Sequence, residues 1–337
     1  MDLNLRTPLS PAPATAAVTP DAQAASGDDV DSIVRALYRT LTPAQRGEIC
    51  FAWDHADEAR GVVRTFIANH WQVTRPCVRS AFFSADQQRL IYAIYLGLLA
   101  PEWHARFVQQ LADDTYGHPW GADQSVAIFG DPERGPWQFV FTGRHVTLRA
   151  DGGSEPRVAF GGPILYAHQA TGYYEKPHHP RNVFWPQAQA ASRLFDMLDA
   201  GQQSRSTVAA LPPETELAFG APPAGLPVAD LHSEQRAALD GLIDGLLAPF
   251  RDADRTRVRT CLAAQGGLDR CHLSYALDGR MSAPLWDNWR LAGPAFIWHW
   301  RGYPHVHVWV HVANDPAVPA NARRGQFLFD GHDRLMR

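Results

Sequence analysis

The chain has 337 residues, 45% hydrophobic and 20% charged, a composition that suits a globular protein with a sizeable core. A formal net charge of -4 argues against a nucleic-acid or anionic-membrane surface, because binding phosphates needs a concentrated cationic field. No stretch approaches the roughly 18 apolar residues of a membrane span, so the expectation is a cytoplasmic protein that acts on a small molecule, with neither nucleic acid nor membrane as a partner.

Residues 1–28, rich in Ala, Pro, Thr and Asp, are expected to form a disordered tail, and 29–337 a single α+β domain. Thr42-Pro43-Ala44-Gln45 places an N-cap, a first-turn proline and a capping-box glutamine in register, and Ser84-Ala85-Asp86-Gln87 repeats the signature before an apolar run ending at Pro101. A helical N-terminal third follows from these signals. From Ser125 the pattern changes to short runs bounded by Gly, Pro and Asp: 125–129, 137–142 and 145–149 read as antiparallel strands. After Gly161-Gly162-Pro163 comes a loop containing His168, Tyr173, Tyr174, Glu175, His178 and His179, then helices over 186–200, 231–250 (Ser233 as N-cap) and 253–264. Strands return at 272–276, 295–300 and 305–312. The fold class expected is α+β, an antiparallel sheet core with helices packed around it. Cys50, Cys77, Cys261 and Cys271 form no Cys-x-x-Cys pair and read as core thiols.

The chemistry concentrates in the last strand. From His305 the chain alternates His, Val, His, Val, Trp, Val, His, Val, so His305, His307, Trp309 and His311 share one face and the valines the other. Histidines at i and i+2 lie about 6.6 Å apart along a strand and can bend onto one ion, whereas His311 lies about 20 Å from His305. His299, in Trp298-His299-Trp300, is a third candidate ligand whose orientation depends on the hairpin loop. An odd loop, such as Arg301-Gly302-Tyr303, pairs His299 with His305 and is favoured because Gly302 supplies positive φ; an even loop sends His299 to the opposite face. Neutral imidazoles without an acidic cluster suit copper, zinc or iron and not calcium or magnesium. His145, on a strand after Gly143-Arg144, can approach as a fourth ligand or as an acid/base.

Thr142-Gly143-Arg144-His145, Gly161-Gly162-Pro163, 225–231 and Gly293-Pro294-Ala295-Phe296 leading to His305-Val306-His307 resemble the DUF3500 family, a family of unknown function. The resemblance runs from about Thr42 to the C-terminus and implies a single domain without an agreed activity. Where this chain has Arg144-His145, the family pattern has His-His, which makes His145 the retained candidate. Where His299 stands, the pattern has Glu, so the resemblance implies that this position faces the site.

The expected function is that of a metal-dependent oxidoreductase acting on a small organic or peptide-derived substrate. His299, His305, His307 and His145 are its candidate ligands, copper its first-choice ion with iron or zinc as alternatives, and His145 and Glu175 its candidate catalytic residues. Asp113-Asp114 read as solvated carboxylates. Two other readings compete: a non-catalytic metal- or carbohydrate-binding protein whose tryptophans form a platform, and a metal-independent hydrolase or lyase using a histidine base. No nucleophile elbow, phosphate-binding loop or dinucleotide fingerprint is present.

Overall fold

A computed structural model describes residues 29–115, 117–169, 183–277, 286, 288–302 and 305–327. The expected tail over 1–28, and the loop carrying Tyr173, Tyr174, Glu175, His178 and His179, lie outside these residues.

The described helices are α1 (Val30–Thr40), α2 (Pro43–Ile49), α3 (Ala85–Gly97), α4 (His104–Asp114), α5 (Trp185–Asp196), α6 (Ala200–Ser206), α7 (Ser233–Leu247) and α8 (Asp252–Ala264). Thr42 and Ser84 start α2 and α3 with reciprocal capping boxes to Gln45 and Gln87, as their spacing predicts. In α7 it is His232, not Ser233, that takes the capping position.

The strands are β1 (Cys50–Phe51), β2 (Ala56–Asp57), β3 (Gly61–Val62), β4 (Phe66–Trp71), β5 (Ser125–Gly130), β6 (Trp137–Gly143), β7 (Val146–Ala150), β8 (Ile164–His168), β9 (Leu226–Pro227), β10 (His272–Ala276), β11 (Asn288–Gly293), β12 (Phe296–Arg301), β13 (Val306–Val312) and β14 (Asn321–Phe327). Ten of them form one sheet in the order β1-β5-β6-β7-β8-β13-β12-β11-β10-β9. One face of that sheet packs against α1, α3, α5, α7 and α8, where Phe139, Phe141, Tyr166, Val308 and Trp298 join helix residues such as Leu37, Ile91 and Leu246 in the main core. The other face is covered by β4, whose Phe66, Ala68 and Trp71 pack on Ala127, Phe129 and Val140.

This corrects the expected fold on two points. The sheet is mixed, because β1 joins β5 in parallel, and a separate parallel pair links β14 to β4. The N-terminal third is not simply helical, since β1 to β4 lie within it. The physical reason is plain in β4: five of its six residues are buried, so it lacks the polar alternation by which a half-exposed strand is recognised. The same holds for β8, all of whose residues are buried.

Arg149 fastens the layers. Its guanidinium, 2% exposed, donates to the carbonyl of Pro163 at 2.7 Å and to those of Arg64 and Phe66, tying β7 to the segment entering β4 and to the Gly161-Gly162-Pro163 turn. Burial pulls its pKa down to about 9, and neighbouring Arg64 adds to the effect. Carbonyl acceptors alone offset the desolvation of this cation.

Candidate metal centre

In the ten-stranded sheet, the start of β7, the end of β8 and the start of β13 lie side by side, and three histidines meet there. Gly143 pairs with Val146, so β6 and β7 are joined by the two-residue turn Arg144-His145. His145 has φ 59°, a left-handed conformation that a non-glycine side chain adopts at a cost of about 1–3 kcal/mol. Its backbone N–H donates to the Asn69 carbonyl at 2.9 Å, which helps hold it there.

The three imidazoles converge through their Nε2 atoms. His305 Nε2 lies 2.9 Å from His307 Nε2 and 3.2 Å from His145 Nε2, and the last two are 3.2 Å apart. His145 and His307 are each 3% exposed, and His305 is half-buried. Behind two of the rings stand carboxylates: His145 Nδ1 meets Asp114 Oδ1 at 2.9 Å, and His307 Nδ1 meets Glu214 Oε2 at 3.2 Å. Asp114 also accepts from the Gln169 N–H at 2.7 Å and the Gln110 amide at 2.6 Å, and Glu214 from Arg301 Nε at 2.7 Å. This network assigns the ring proton to Nδ1 in both histidines, leaving Nε2 of each as a lone pair.

Two lone pairs pointing at one another across 3.2 Å repel unless a cation lies between them. Ions held at ~2.0–2.1 Å with N–M–N angles from about 90° to 110° require nitrogens roughly 2.9–3.4 Å apart, and the three observed separations fall within that span. Among the described residues no carboxylate oxygen joins the cluster, so the donor set is three neutral imidazoles, which favours borderline transition metals. The set fits copper, zinc or iron.

The electrostatics agree with neutral ligands. Burial, then the proximity of His307 and Arg144, holds His145 well below the ordinary imidazole range; burial and then Arg301 lower His307; burial with His307 and His145 lowers His305. Burial alone would raise the Glu214 carboxyl, but His307 and Arg301 outweigh it and keep it ionised. Burial pushes Asp114 up to about 7 against the pull of its donors, so a cation beyond the His145 ring would favour its charged form.

His299 takes another place. β12 pairs with β13 through Arg301↔His307 and His299↔Trp309. The hairpin has the odd parity that keeps His299 on the His307 face. Its register is shifted, however, so that His299 faces a residue four positions beyond His305, roughly 13 Å along the strand. The structure therefore does not bring His299 to the other three. It is 3% exposed, contacts Arg290 at 3.5 Å through Nδ1, and burial followed by Arg290 lowers it to about 3. His311 turns away to the Leu217 carbonyl at 2.9 Å and stacks on Phe219. Glu175 lies outside the described residues. The tryptophan platform finds no support, since none of the eleven indoles is exposed.

Two carboxylates matter more than their sequence context suggests. Asp113 and Asp114 read as solvated, yet they are 8% and 1% exposed, and Asp113 Oδ2 meets His168 Nε2 at 3.0 Å. Their signal was available: both fall in the last turn of α4, where acidic groups oppose the helix dipole and no basic residue offsets them. Glu214, in Leu211-Pro212-Pro213-Glu214, carried no such signal.

The model of a family described as "Protein of unknown function (DUF3500)" matches residues 23–313 of the chain. No curated protein and no solved structure matches it.

Proposed function

From the premise that this chain belongs to the DUF3500 family, whose description assigns no function, we propose that it is a metal-dependent oxidoreductase. Its substrate is a small organic or peptide-derived molecule, and its ion is copper first, iron or zinc as alternatives. The observation that carries this reading is the convergence of the His145, His305 and His307 Nε2 atoms, two of them set as lone-pair donors by buried carboxylates. Among the described residues three ligands rather than four converge, which leaves a coordination position for substrate and speaks against a purely structural ion. When bound, the ion would supply Lewis-acid chemistry at that position, and copper or iron one-electron chemistry as well.

The chain's own residues do the rest. Asp114 and Glu214 orient the rings and raise their basicity, Arg301 balances the Glu214 charge, and burial of His145 and His307 limits water at the centre. A redox role is favoured over hydrolysis because both nearby carboxylates are engaged behind the imidazoles, and among the described residues no acidic group joins the cluster to take a proton from a bound water. The Asp114–His145 pair favours a second reading, a metal-independent histidine base.

Copper-loaded protein should show an electron-paramagnetic signal with nitrogen coupling from several imidazoles and consume oxygen with ascorbate. His307→Ala should lose both. A site that takes zinc only, or that binds copper without any oxygen uptake, would sink the redox reading.

A further inference from the structure

The three imidazoles of the centre are not equivalent. His145 and His307 are each 3% exposed, and each is backed at Nδ1 by a buried carboxylate, Asp114 at 2.9 Å and Glu214 at 3.2 Å. Their backbones are fixed as well: the His145 N–H donates to the Asn69 carbonyl at 2.9 Å, and His307 lies within β13, paired with Arg301 on one side and Ala167 on the other. His305 has none of these supports. It stands immediately before β13, outside the paired register, and is half-buried. Among the described residues its polar and ring contacts are the other two imidazoles alone, at 4.7 Å between centroids in both cases, and no group meets its Nδ1.

A carboxylate behind an imidazole fixes the ring proton on the distal nitrogen, holds the ring plane and makes the ligating nitrogen a stronger donor. Losing such a partner typically weakens a metal site about 10–100-fold. A ring without one also gives up rotamer freedom each time it coordinates. We infer that His305 is an exchangeable ligand, released when a chelating substrate with two oxygen or nitrogen donors on neighbouring atoms takes its position together with the open one, while His145 and His307 keep the ion. The inference rests on the metal-dependent reading of the site. One bond from His305 Nε2 to the ion breaks, two bonds from the substrate form, and no electron changes hands. Of the three ligands only His305 is more than marginally exposed, so a substrate reaches the ion on the side where the displaceable ring lies. The second donor of a chelator binds intramolecularly, at high effective concentration, and so displaces a ring that a separate single-donor molecule leaves in place.

The test is nuclear magnetic resonance of the zinc-loaded full chain with nitrogen-15 in its histidines, zinc being diamagnetic. Before any probe is added, hydrogen-bonded Nδ1–H signals should appear for His145 and His307 and not for His305. Acetohydroxamate, a two-oxygen chelator, should shift the His305 Nε2 resonance off its zinc-bound position and leave the other two rings and the zinc content unchanged. Acetate should not move it. In competition for zinc, His305→Ala should weaken binding at least tenfold less than His307→Ala does. Release of all three rings together, a His305 resonance unmoved by acetohydroxamate, or equal losses in the two variants would overturn the assignment. Each of those outcomes leaves the metal reading standing, whereas a chain that takes up no metal would end both.

Discussion

At the scale of single residues the centre depends on a histidine in an unfavourable backbone state. His145 has positive φ at the second position of a two-residue turn, where glycine would be relaxed. Replacing it with alanine removes the ligand and keeps the strain, whereas glycine removes both. Metal-free His145→Gly should therefore be about 1 kcal/mol more stable than metal-free His145→Ala, measured by urea unfolding, while neither binds metal. Equal stabilities would show that the turn does not strain the backbone. The His-x-His pair was legible because strand alternation is a strict geometric rule. Asp114 was visible but read as solvated, because burial is a property of the folded surroundings. Glu214 was invisible, since a lone glutamate after two prolines has no periodicity to betray it.

At the scale of elements, strands with polar residues alternating in the sequence were easier to read than those without, and burial does not separate the two kinds, since β13 is buried at every position as β8 is. β13 alternates histidine and valine, yet β4 and β8 are apolar on both sides and gave no alternation. The expected odd parity holds, but not through the three-residue loop expected, and register could not be read from the sequence, because pairing is decided by contacts with neighbours: β13 is fixed on its other edge by β8, with His307 opposite Ala167. The same non-local logic governs Arg149, which joins β7, the turn before β8 and the entry to β4 through three carbonyls. Arg149→Met should cost roughly 3 kcal/mol or more, because those carbonyls lose their donors inside the protein. Chemical denaturation measures this, and a loss under about 1 kcal/mol would mean that water replaces the guanidinium.

At the scale of the whole molecule, buried neutral imidazoles set the acid limit of stability. His299 and His311 are lowered to about 3 and about 4, burial being the first cause in both. Their unfolded-state pKa is about 6.5, so below that pH the unfolded chain takes up the protons first. Stability is complete above pH 6.5 and falls as pH drops toward the folded values. Between pH 6.5 and 5 each group removes up to about 2 kcal/mol. The urea midpoint should fall over that window, and His311→Gln should flatten the fall; a midpoint independent of pH would contradict the account. The three clustered histidines are lowered in the same direction, so an ion held by them at neutral pH would also be lost on acidification.

The central claim is that residues brought together from positions 145, 305 and 307 hold a transition metal. Elemental analysis of protein purified without an affinity tag, beside the His305→Ala/His307→Ala double variant, tests it most directly. The account predicts close to one first-row transition-metal ion per wild-type chain, or uptake to that level on adding copper, and none in the variant. A wild-type protein that contains no such metal and takes up none, or a double variant that binds as much, would contradict it.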